Sequence, residues 1–304
     1  MDHEEIIQAI DAKYKALGEN PDAYLEGLLH AKPITYWDYI GVDTLLTLQK
    51  PRTDYADEVV FIMYHQVTEL VLKMILHEIR QMVHEPFQEA MWLDKLDRLK
   101  RYTSLLITSF GIMRSGMNYD DYSAFRNTLT PASGFQSAQF RYIEIHCTRL
   151  ENLVNEEGKK QLSANPSTEE YFEHIYWKDA GVDRTTGEKR YTLRQFEEKY
   201  LDSFIALADK VKGITLEEIA LNLESCSPAL KEKLKEFDHL YNVVWPLTHL
   251  QTAGHYLEPD GVPKVATGGS EWKKYLHPKF QERKFFPTLW GDDELAHWGE
   301  GEVS

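Results

Sequence analysis

Cysteine is nearly absent: two residues, Cys147 and Cys226, in a chain of 304. They form neither C-x-x-C nor C-x-x-C-H, so a zinc ribbon and a covalently attached c-type haem have no support. Such sparse usage fits a reducing compartment, and a cytoplasmic protein is expected. Basic residues are also short, 34 against 49 acidic ones for a net charge of −15, and no Lys/Arg block exceeds a pair or so. Phosphate binding draws on clustered cations, so nucleic acid is not an expected partner. The acidity reads as ordinary solubility. No stretch reaches 18 uninterrupted apolar residues, which argues against a membrane span. The opening "MDHEEIIQAI" has no basic segment ahead of an apolar one, hence no secretory signal. Neither a 20–50-residue repeat nor a low-complexity linker is visible.

Helical periodicity fills most of the chain. "HEEIIQAIDAKYKALGEN" reads as a helix stopped at Gly18, and "ITYWDYIGVDTLLTLQKP" carries a second apolar stripe ending at Pro51. A long helix is predicted from Asp57 to Glu85, closed by Pro86, and another from Phe87 to Arg114. "SGFQSAQFRYIEIHCTRLENLVNEEG" is a further helix, with Ser133 and Gln136 as a capping box. Residues 157–190 are polar and loop-rich, with "DRTTGEKR" a candidate hairpin. Helices resume at 192–211 and 215–223. Another begins at Pro228 and meets Pro246, where a missing N–H predicts a kink or break. The expected fold class is all-α, one large helical domain over 1–304.

Three constellations could carry chemistry. In "VVFIMYHQVTELVLKMILHE", His65 is the single imidazole on an otherwise apolar helix, four residues after Phe61 and so on the same face. It is either a satisfied core histidine or one side of a site, because an unpaired buried polar group costs about 1–3 kcal/mol. In "DDYSAFRNTLTPASGFQS", Tyr122 and Arg126 are again four apart. The guanidinium fork suits a carboxylate; the structural alternative is a surface pair with Asp120 or Asp121. The third constellation is "WPLTHLQTAGH" with "VATGGSEW". His249 and His255, six apart, are a poor chelating pair, but one imidazole on an apolar helix can hold a haem iron. Thr267 and Ser270 supply hydroxyls on a glycine-containing loop. E-x-x-H occurs at Glu236/His239 and Glu294/His297 without matching partner glutamates, so di-iron chemistry is not favoured.

Together, "FIMYHQVTEL", "FRNTLTPASGFQSAQFRYIE", "TGGS" and "ITYWDYIGVDTLL" resemble the tryptophan 2,3-dioxygenase family, over most of residues 35–275. "SGFQS-x-QFR" is the most specific stretch. The resemblance implies an α-helical enzyme, usually a homotetramer, that uses haem b and O2 to convert L-tryptophan to N-formylkynurenine in the kynurenine pathway. It implies His65 as the distal, catalytic histidine that accepts the indole N–H. Phe61 would stack beside the ring, and Arg126 would clamp the carboxylate with help from Tyr122. Ser133 and Gly134 would border the haem, Thr267 would meet the substrate from a closing loop over 260–275, and His249 would ligate iron. Tyr36 and Ile40, on the N-terminal helices of 1–50, would reach a neighbouring subunit's pocket. His255 remains the alternative iron ligand. Two other functions stay open: a monooxygenase or hydroxylase of a substituted indole or tyrosine, and a haem-based sensor.

Overall fold

The 28-residue helix Asp57–His84 (α5) is the element around which the core is arranged. Its buried positions, Tyr64, Val71, Leu72, Ile75, Leu76, Ile79, Met82 and Val83, recur at three- and four-residue intervals and so form one apolar face. By length and composition α5 could cross a membrane. In the fold it is a core helix whose buried face also holds charge. Glu78 meets Lys95 of the next helix at 2.7 Å, both side chains 7% exposed, and Gln81 accepts from the same ammonium. Such a pair contributes little net stability, but losing one partner strands a buried charge at roughly 3–5 kcal/mol.

The protein is described from a computed structural model, which covers residues 1–129, 134–183, 186–222, 226–257, 273, 277–281 and 283–300. Two compact units are present, Met1–Lys50 and Pro51–Ser304. The first holds His3–Ala16 (α1), Pro21–His30 (α2), Tyr36–Ile40 (α3) and Val42–Leu45 (α4). Gly18 stops α1 in the left-handed region at φ 76°, as the sequence predicts. Gly41, at φ 65°, divides what periodicity reads as one stripe into α3 and α4.

In the second unit, α5 packs on Glu89–Ser115 (α6) on one side and on Ala138–Cys147 (α8) on the other. Tyr119–Phe125 (α7) lies against α5. Short helices Glu156–Lys159 (α9) and Thr168–Glu173 (α10) lead to Tyr191–Val211 (α11), which covers α8. Leu216–Asn222 (α12) touches α5 and α8, while Pro228–His239 (α13) and Trp245–Leu257 (α14) cover the outer side of α6. The layers therefore run α13/α14, α6, α5, α8, α11. The all-α expectation holds: the described residues contain no strand, only isolated bridges at Val154–Ile175 and Val182–Lys189. The second bridge closes the expected turn in "DRTTGEKR", with Gly187 N–H donating to Asp183 O.

Two local expectations are corrected. Helix α8 begins at Ala138, where the Ser137 hydroxyl accepts from Phe140 N–H. The predicted start is therefore four residues early; Ser133 lies outside the described residues, and Gln136 sits in a short 3-10 turn. At Pro246 the helix does not break. Leu240–Val244 forms a π turn in which Trp245 N–H donates to Leu240 O. The wider turn spares the carbonyl that a proline ring would strike and tolerates the missing donor.

Candidate active site

Reciprocal bonds at the start of α5 hold α7 in place. The Asp57 carboxylate accepts from Asn118 N–H, and the Asp121 carboxylate accepts from Asp57 N–H at 3.4 Å. Asn118 also caps α7, accepting from Asp120 and Asp121 N–H. Asp121 is thus used in fastening α7 to α5. One and two turns along α5 from that fastening come Phe61 and His65, with Tyr122, Phe125 and Arg126 at the facing end of α7.

Aromatic rings line this junction. Phe61 lies 4.1 Å from the His65 ring, 6.1 Å from Tyr122 and 5.7 Å from Phe125, centre to centre. Tyr122 in turn sits 4.3 Å from Tyr256 of α14, and Tyr119 stacks on Tyr256 at 5.9 Å. The Tyr256 hydroxyl donates to Met113 O of α6, which fixes the end of α14. Arg126 follows α7 directly, half-buried, its N–H bonded to Tyr122 O.

Phe110 of α6 links the neighbourhoods of the two histidines. Tyr64 contacts His65 at 5.3 Å and Phe110 at 5.9 Å, and Phe110 stacks on His249 at 5.4 Å. Each imidazole ring is exposed, yet burial lowers the pKa of each, that of His249 to about 4. A side chain crowded by protein atoms yet still open to solvent lines a recess rather than a convex surface. The charge of His65 adds to the depression at His249, so the two share one electrostatic neighbourhood. Glu69, one turn beyond His65, and the Phe61 carbonyl work the other way on His65. Both rings are neutral at pH 7.

His65 has a defined tautomer. Its Nδ1 lies 2.8 Å from Phe61 O. A carbonyl only accepts, so the proton sits on Nδ1 and Nε2 keeps its lone pair. His249, likewise neutral and accessible, could serve as an iron ligand. Among the described residues no group of three or more His, Cys, Asp or Glu could hold a metal ion. A single neutral imidazole open to a ligand would suit a metal whose other ligands come with it, as in a porphyrin that needs one protein imidazole. These residues fit haem. The E-x-x-H carboxylates are engaged elsewhere, Glu236 with Lys100 and Glu294 with Lys235.

Of the residues singled out from the sequence, Phe61, His65 and Tyr122 are brought together by their rings, Arg126 follows one turn after Tyr122, and His249 adjoins them through Phe110. His255 is exposed and packs on Tyr256 at 4.8 Å. Gly134 opens the 3-10 turn Gly134–Gln136. Ser133 and Thr267 lie outside the described residues, as does most of 260–275. Tyr36 and Ile40 bound α3 in the first unit and are exposed, 72% and 44%. Tyr64, Phe110 and Tyr256 were missed. Tyr256 was findable, two turns from His249 on one face; Phe110 is one apolar residue among many in α6. A separate cleft of about 180 Å3, lined by Thr148, Arg149, Tyr171 and Val211 among others, shares none of these residues.

A sequence model of the family described as tryptophan 2,3-dioxygenase matches residues 28–238. That span includes Phe61, His65, Tyr122 and Arg126 and stops short of His249. A tryptophan 2,3-dioxygenase of Bacillus thuringiensis subsp. konkukian is 28% identical over 284 residues, 90% of this chain and 97% of the relative. One from Bradyrhizobium diazoefficiens is 28% identical over 271 residues, 86% and 92% of the two chains. One from Ruegeria pomeroyi is 38% identical over 120 residues, 38% of this chain and 42% of the relative.

Proposed function

The chain belongs to the tryptophan 2,3-dioxygenase family, and we propose that it uses haem b to insert both atoms of O2 across the indole C2–C3 bond of L-tryptophan, giving N-formylkynurenine. The observation that carries this reading is the tautomer of His65. A bare Nε2 in an aromatic recess is an acceptor suited to an indole N–H, and it shares that recess with a second neutral imidazole.

Each group has one task. Phe61 and Tyr122 flank the indole, where an aromatic slot excludes water and offers ring contacts of about 0.5–1.5 kcal/mol beyond area burial. His65 Nε2 accepts the indole N–H and so fixes which edge of the ring is presented. Arg126 binds the carboxylate with its guanidinium fork, assisted by Tyr122. Thr267 would meet the substrate ammonium and carboxylate, and Ser133 and Gly134 would border the haem on the substrate side; Thr267 and Ser133 lie outside the described residues. His249 would hold the iron. When bound, haem b supplies the oxygen chemistry; the protein supplies orientation and a dry pocket. In a homotetramer, Tyr36 and Ile40 complete the pocket of a neighbouring copy, which accounts for large apolar side chains left exposed on α3.

Haem-reconstituted, reduced protein mixed with L-tryptophan and O2 tests the proposal. A product heavier by two oxygen atoms, with N-formylkynurenine absorbance, is expected. A gain of one oxygen atom makes the protein a monooxygenase, and haem binding without turnover makes it a sensor.

A further inference from the structure

Asp238 is a carboxylate with no exposure at all, in the last turn of α13. Burial pushes its pKa up, and its hydrogen bonds act against that. All four of its partners are donors. Oδ1 accepts from Phe285 N–H at 2.9 Å and from the Asn242 amide at 2.8 Å; Oδ2 accepts from Phe286 N–H at 3.1 Å and from the Trp290 indole at 2.9 Å. A protonated acid would bring a hydrogen to one of these donors, so the pocket is complementary to the anion. Asn242, 1% exposed, lies within the π turn Leu240–Val244, and its own Oδ1 is buried with no hydrogen-bond partner among the described residues. A buried amide left half-satisfied costs stability. Its retention points to a positional role, because its one bond ties the π turn to Asp238. Five residues after that turn stands His249.

Resting on the function proposed above, we propose that Asp238 is a positioning residue for the iron ligand: by clasping the Phe285–Trp290 segment and the Asn242 amide together, it holds the π turn that aims His249 into the recess. The geometry requires such a hold. If the π turn relaxed to α-helical pitch, the register of everything downstream would slip by one residue, a rotation of about 100°. His249 would then leave the face of α14 that stacks on Phe110. Pro246 cannot secure the turn itself, because it has no N–H to donate. The clasp also places the segment that follows residues 258–276 under the same carboxylate.

Two variants test this. Asp238→Asn puts a donor where four donors converge. Trp290→Phe removes one bond and leaves a smaller aromatic ring where the indole packs on Trp298 at 5.0 Å. In haem-free protein, amide hydrogen exchange across 240–250 should quicken at least tenfold in Trp290→Phe and more in Asp238→Asn, with residues 95–105 of α6 unchanged. Equal exchange in Trp290→Phe and wild type overturns the clasp whether or not haem binds. In haem-loaded protein, the iron–histidine stretching band should shift in Trp290→Phe, with kcat lowered several-fold and KM for L-tryptophan unchanged. Leu230→Ala, on α13 outside the clasp, is the control; the same band shift there would reduce Asp238 to a purely structural residue. If wild-type protein shows no iron–histidine band, the iron-ligand reading falls, and exchange alone decides whether the clasp exists.

Discussion

His65 donates from Nδ1 to the carbonyl of Phe61, 2.8 Å away and one turn earlier in α5. One bond thereby sets both the proton's location and the ring's direction, with the Phe61 ring 4.1 Å away as a side wall. What remains is an acceptor at Nε2, which the proposed function gives to the indole N–H. His65→Ala should lower kcat/KM for L-tryptophan by roughly 10- to 100-fold, the worth of one desolvated hydrogen bond. 1-Methyltryptophan has no indole N–H to offer and should lose far less. Equal losses for both substrates would mean that His65 does not read the indole N–H.

Arg126 stands half-buried at the end of α7, one turn after Tyr122, on a helix fastened to α5 through Asp57 and Asp121. Arg126→Ala should raise KM for L-tryptophan about 10- to 100-fold, since hydrogen bonds to a charged group contribute about 1.5–3 kcal/mol. Turnover at saturation should change little. Tryptamine, which lacks the carboxylate, should not distinguish variant from wild type. A normal KM in the variant would remove Arg126 from the site.

Much of this was legible in the sequence because helices repeat at short range. The boundaries of α5 follow from a continuous apolar face and from Pro86, and Phe61/His65 and Tyr122/Arg126 are pairs at i and i+4, which any helix brings together. What was not legible is long-range. Phe110 joins Tyr64 to His249 across three helices, and nothing in "SLLITSFGIM" marks it. The π turn was also hidden. Proline predicts disruption, but whether a helix breaks or widens depends on partners such as Asp238, whose bonds to Phe285 and Phe286 span more than forty residues. The start of α8 was misplaced because Ser133 and Ser137 both suit a cap, and only tertiary packing chooses between them.

The choice between His249 and His255 can be made by substitution. Six helical residues separate them by about 240° around the axis. His249 stacks on Phe110, whereas His255 packs edge-on against Tyr256. His249→Ala should abolish the five-coordinate haem spectrum, and added imidazole should restore it in part. His255→Ala should leave the spectrum as in wild type. Loss in His255→Ala with retention in His249→Ala would reverse the ligand assignment.

Acid sensitivity should trace in part to His146. This residue is 1% exposed in α8, its Nδ1 bonded to Tyr142 O at 2.6 Å. Burial, with the positive charges of Arg80, His84 and Lys210, lowers its pKa to about 4, and the Tyr142 bond offsets this only in part. The unfolded chain takes up a proton below about pH 6.5, the folded one only near pH 4. Between those limits the unfolded state binds more protons, so stability falls as pH falls, by roughly 2–3 kcal/mol at pH 4.5 from this group. His249, whose pKa burial also lowers to about 4, acts in the same direction whether or not His146 is replaced and cancels in the comparison. His146→Gln keeps a donor for Tyr142 O and cannot titrate. Urea unfolding at pH 7.5 and pH 4.5 should therefore show a smaller acid loss in the variant than in wild type, by about that amount. Carboxylates contribute to both proteins and cancel in the comparison, so an identical loss would show that His146 is already protonated in the folded state at pH 4.5.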